Sequence, residues 1–89
     1  MRAVVTVVGR DTVGIISSIT RQLSENNVNI MDISQSILQD LFAMVMLVDI
    51  SGSKLPFSRL AELLSENGKE MGVKVHVMHE DIFTSMHRI

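Results

Sequence analysis

The residues best able to do chemistry in this chain lie in one short run, Gly9-Arg10-Asp11-Thr12-Val13-Gly14-Ile15, with Asn29 and Ile30 following one helix length later. A carboxylate bracketed by glycines where a strand gives way to a helix forms a cradle for something small and polar. Backbone N–H groups from Thr12 through Val13 and Gly14 to Ile15 would hold a carboxylate at the helix N-terminus. Gly14 allows close backbone approach, and Asp11 would receive an ammonium group. The Asn29 amide offers both a donor and an acceptor. An amino acid or similar zwitterion meets all of these groups. Each residue also has a purely structural role open to it. Asp11 or Thr12 would cap the helix, Gly14 would pack it against the sheet, and Asn29 would serve the turn that ends it.

Other chemistries find little support. The chain has no cysteine, which removes thiolate nucleophiles, thiolate zinc sites and disulfides. His76, His79 and His87 are the only imidazoles. The first two are three apart on a strand and so point to opposite faces, and no metal site is expected. Asp11 and Asp32 would form a carboxylate pair only if the fold brought them together. The run from Gly9 to Gly14 lacks the first Gly-x-Gly pair of a dinucleotide site, and the unit after it is too short for one. The expectation is a protein that is not an enzyme and carries no cofactor.

The 89 residues suffice for one domain, 1–89. Apolar residues make up 46% and charged ones 20%, a balance that argues against disorder. Phenylalanine is the only aromatic type, so the core must be Val, Ile, Leu and Met. A net charge of −2 without a basic stripe disfavours nucleic acid. No apolar run approaches a membrane span, and Ala3 to Gly9 is too short for a secretory leader. These features place the expected protein in the cytoplasm. So much apolar surface on so short a chain favours a homodimer or higher homo-oligomer.

The elements that must position the candidate residues are legible from periodicity. Residues 2–9 are β-branched and apolar on both faces, a central strand. Residues 13–26 place Ile16, Ile19 and Leu23 on one helical face, and Asn26-Asn27 suits a left-handed end. Residues 28–38 carry one polar side (Asp32, Ser34, Ser36), as an edge strand does. Ile30 and Ile33 cannot both face the core of a regular strand, so a bulge or a late strand start is predicted. Gln39-Asp40 makes a hairpin into 41–50, again apolar on both faces. After Pro56, the positions Phe57, Leu60, Ala61, Leu64, Asn67, Gly68 and Met71 mark a helix closed by Gly72. Residues 73–79 alternate as an edge strand, and 81–89 form a short tail helix that must dock to persist.

This order is α+β: a ferredoxin-like βαββαβ sandwich, with a four-stranded antiparallel sheet in order 2-3-1-4 and a short C-terminal helix. Right-handed crossovers put both helices on one face. Ala43, Val45, Leu47 and Val4 or Val5 would then line an exposed apolar patch, for another copy to cover unless a strand edge pairs instead.

The whole chain resembles an ACT domain, through Val7 to Ile15 at the first turn, Asn29-Ile30 with Asp32-Ile33, and Phe42-Ala43-Met44. Its ending, Glu80-Asp81-Ile82-Phe83 through Met86-His87-Arg88-Ile89, is similar to that of free-standing single-ACT-domain proteins of bacteria and archaea. The ACT domains of the glycine-cleavage repressor and phosphoserine phosphatase are also similar. The resemblance implies a regulatory amino-acid-binding module that pairs side by side, joining two sheets. Its ligand would sit between the first turn of one subunit, at Asp11, and the start of the second strand of its neighbour, at Asn29. Serine-responsive members carry a histidine where this chain has Gly9, which argues against serine. A separate enzyme or regulator would receive the signal. The alternative is a dimerising adaptor without a small ligand, acting through the open sheet face and the tail.

Overall fold

The computed structural model describes residues 1–10 and 14–86. The elements are β1 (Arg2–Arg10), α1 (Ile15–Glu25), β2 (Asn29–Leu38), β3 (Leu41–Asp49), α2 (Phe57–Met71), β4 (Val73–His79) and α3 (Glu80–Met86). The four strands form one antiparallel sheet in the order β2-β3-β1-β4. This is the expected ferredoxin-like architecture.

One continuous core joins the sheet to α1 and α2. Ala3, Val5 and Val7 of β1 and Met44, Met46 and Val48 of β3 meet Ile15, Ile19 and Leu23 of α1 and Leu60 and Leu64 of α2. Full burial of such an aliphatic side chain is worth roughly 1.5–3 kcal/mol, and this shared burial is what orients the helices. A hydrogen bond from Asn67 Nδ2 to Ser18 Oγ, 3.0 Å long, ties α2 to α1.

The predicted bulge is present. Ile30 pairs with Val48 and Asp32 with Leu47, leaving Met31 as the extra residue. Its effect is to return Ile33 to the helix side, beside Met46 in the ladder.

The first helix starts differently from expectation. Its cap position is Gly14, with φ 89° and ψ 0° and no side-chain cap bond, and helix begins at Ile15. Asp11 and Thr12, the cap residues expected from sequence, lie outside the described residues, as does Val13. A left-handed backbone at position 14 suits glycine, which has no Cβ to clash there. At the other end the asparagine reading holds. Asn27 is left-handed, with φ 59°, and the amides of Asn27 and Val28 bond Ser24 O and Leu23 O, the double closure of a Schellman motif. Asn27 Nδ2 also reaches Gly52 O at 2.9 Å, and Lys54 N reaches Asn26 O at 3.0 Å. The entry into β2 is thereby anchored to the loop after β3.

The sheet's other face is partly closed by the chain itself. α3 contacts β1 and β4, and Arg2 reaches Glu80 at 2.7 Å. Val4 lies on this side, paired with Leu47 and Met78, and is buried, whereas Val5 belongs to the core. Leu41, Val45 and Val8 remain exposed on the same face.

Candidate functional site

Of the candidate ligand residues, the structure describes Gly14, Ile15, Asn29 and Ile30, and it places the first two and the last two at opposite ends of the sheet. Arg10 closes β1 opposite Leu41, and α1 begins shortly after it. Asn29 opens β2 opposite Asp49, which pairs with Arg2 at the far end. The intervening strand length is about 25–30 Å at roughly 3.3 Å per residue. A single chain does not bring Asn29 and Gly14 around one small molecule.

At the α1 end, Gly14 O accepts from Ser18 N at 2.9 Å and from Ser17 Oγ at 3.1 Å. The Ile15 side chain is buried in the core, so its contribution to a site is confined to its backbone. Position 9 is closed to any side chain. A Cβ built on Gly9 would lie 2.7 Å from Val73 Cγ1 and 3.0 Å from Val73 Cα. A side chain as large as histidine at this position would collide with β4 as it stands.

At the β2 end, Asn29 is exposed and Ile30 is partly buried against the core. Asp49, across the ladder from Asn29, is held below its ordinary pKa of 3.8, chiefly by hydrogen bonds from the Ser51 side chain and backbone. A carboxyl depressed by folding contributes stability that is complete above the unfolded value and is lost as pH falls through the folded one. Ser51→Ala should therefore lower stability at neutral pH and leave it little changed at the acid end, below both pKa values, which flattens the acid limb of the curve. Urea unfolding between pH 6 and about 2 measures this.

The remaining polar candidates are dispersed. Asp32 is exposed and accepts from the Ile33 N–H at 2.9 Å. His76 pairs with Thr6 on the open face, while His79 stacks on Phe57 with ring centroids 4.2 Å apart. His87 lies outside the described residues. Two concave surfaces were not foreseen from the sequence. One, of about 310 Å³, is lined by Met1, Arg2, His79, Glu80 and Asp81. The other, of about 210 Å³, runs between α2 and β4. The first depends on the β1–β4 ladder, which brings Arg2 beside His79; the second depends on the packing of α2 against β4.

The profile of the ACT domain matches residues 2–78. The chain belongs to the ACT domain family. The UPF0237 protein of Methanocaldococcus jannaschii is 56% identical over 99% of this chain and 98% of its own length. That of Clostridium perfringens is 52% identical, with both chains fully covered. The ACT domain protein from Streptococcus pneumoniae superposes with a TM-score of 0.81 at 35% identity, covering 93% of each chain. Free-standing ACT domains of this length thus occur in archaea and bacteria, as the resemblance implied. Among the described residues, no helix is long and apolar enough to cross a membrane.

Proposed function

We propose that this ACT domain is a cytoplasmic amino-acid sensor, not a catalyst, that works as a homodimer with its ligand between subunits. The observation that carries the reading is the separation of Asn29 from the start of α1 along the sheet. β2 is a free edge, and a two-fold axis beside it would pair β2 antiparallel with its copy. Antiparallel pairing carries Asn29 of the partner subunit to the end where α1 begins. Asp11, the backbone from Thr12 to Ile15 and the partner's Asn29 and Ile30 would then enclose one zwitterion.

The edge itself supports this pairing. Ile33 and Ile37 are 43% and 57% exposed on the helix side of β2, and the strand carries neither lysine nor proline to repel another strand. The Met31 bulge and the Asp32 carboxylate blunt only its first part. Ligand binding would favour the subunit geometry that closes the site, and a separate enzyme or regulator would read the change. The adaptor reading draws on exposed Leu41, Val45 and Val8 on the open face.

Calorimetric titration with the twenty amino acids tests the reading. Asp11→Ala and Asn29→Ala should each abolish saturable binding. Mixing the two variants and letting subunits exchange should restore about one quarter of the sites, because half the dimers are mixed and each of those holds one intact site. Failure of the mixture to recover would place both residues in the same subunit's site. Absence of binding by the parent down to about millimolar affinity, roughly −4 kcal/mol, would favour the adaptor.

A further inference from the structure

β4 is the second free edge of the sheet, paired with β1 alone. Beside it runs the groove of about 210 Å³ lined by Ser65, Lys69, Val73, Lys74, Val75 and His76. Its floor is valine, its rim holds two lysines and a histidine, and no carboxylate lines it. The ion pairs found among the described residues involve neither Lys69 nor Lys74. Two lysines thus flank this groove on a chain whose net charge is −2, with Glu66 and Glu70 of α2 outside its lining.

Lysines on an edge strand often serve only to keep other strands away. Here, however, one lysine comes from α2 and one from β4, and they flank an indentation with apolar side chains between them. We propose that the free edge of β4 docks an extended acidic segment of a separate protein by strand addition. The unpaired N–H and C=O groups of β4 supply main-chain bonds, which a polypeptide alone can complete as a ladder. Side chains of the added strand alternate between the two sheet faces. Those on the helix side meet Lys69, Val73 and Val75. Those on the other side meet Lys74 and His76, which share that face with Val8 and Thr6. Carboxylates on either side therefore find a cation, and a basic strand is repelled. This goes beyond the sensing reading and does not depend on it, since neither β2 nor the α1 end takes part.

The test titrates isotopically labelled protein with an acetylated heptapeptide alternating glutamate and valine. Its lysine–valine counterpart and single-stranded oligo-dT are the comparisons. Backbone amide shifts concentrated in Val73–His79 are expected, with the acidic peptide bound at least about ten-fold more tightly than the basic one. The double variant Lys69→Glu, Lys74→Glu should weaken that binding by about ten-fold or more with an unchanged circular dichroism spectrum. If the double variant does not fold, Lys74→Gln at its exposed position should show a smaller loss in the same direction. The proposal is overturned by no saturable shift at millimolar peptide, by equal binding of the basic peptide, or by undiminished binding to the variants. Tighter binding of oligo-dT than of the acidic peptide would also overturn it and make the edge a nucleic-acid contact.

Discussion

Replacing Ile33 and Ile37 together with glutamate is expected to convert the protein into a folded monomer that no longer binds an amino acid. Both side chains are about half exposed in the single chain, so the substitutions should change its own stability by no more than about 0.5 kcal/mol each. In an edge-paired dimer the same side chains become buried, twice over because of the two-fold symmetry. Loss of that burial, at roughly half the 1.5–3 kcal/mol that full burial is worth for each of four side chains, together with four carboxylates facing one another, should weaken association by about a hundred-fold or more. Analytical ultracentrifugation across a concentration series gives the dissociation constant, and calorimetry on the same samples gives ligand binding. Ile82→Glu is the matched control, because Ile82 is equally exposed but lies on α3. A dimer that survives the double substitution would point to the open face carrying Leu41 and Val45. A monomer that still binds the ligand at parental affinity would show that the site is complete within one chain.

Gly68→Val should be the most damaging single substitution in the helix layer, by about 3 kcal/mol. Glycine in a helix interior ordinarily costs about 1 kcal/mol relative to alanine, so its presence in α2 calls for a compensating contact. That contact is the close approach of α2 to β4. A Cβ at position 68 would lie 2.5 Å from Val75 Cγ2 and 3.1 Å from the Val73 carbonyl oxygen. The valine methyl could move; the backbone oxygen belongs to the β4 ladder and cannot move without it. A domain of this size is expected to hold only about 5–10 kcal/mol in total, so the melting temperature should fall by about 15 °C. Gly68→Ala should be milder, because the gain in helix propensity offsets part of the overlap. Thermal melts of both variants, with and without Val75→Ala, measure the coupling between the two positions. If Gly68→Ala raises the melting temperature, the helix stands farther from the strand than the structure has it.

Several elements were legible before any coordinates because the signals that specify them are local. Apolar residues on both faces of 41–50 showed a central strand, and the one-sided polarity of 28–38 showed an edge. The conflict between Ile30 and Ile33 called for a bulge or a late strand start; the structure has the bulge and puts it at Met31. The start of the first helix is less legible: helical periodicity reaches back to residue 13, yet the helix begins at Ile15 after a left-handed Gly14, where a positive φ costs glycine little. Nothing in the spacing of Lys69, Lys74 and His76 marked a groove, since α2 and β4 meet only once Gly68 lets them approach.

Sequence alone determined the order of elements, the central or edge place of each strand, and the family, because side-chain alternation and helical periodicity are properties of neighbouring residues. The tertiary structure decided where the candidate residues stand relative to one another. Asn29 and Gly14 are fifteen positions apart, yet α1 runs back along the sheet and leaves them at opposite ends. That separation follows from antiparallel register and chain reversal, which arise only when distant strands pair, and it is why a second copy enters the proposed site.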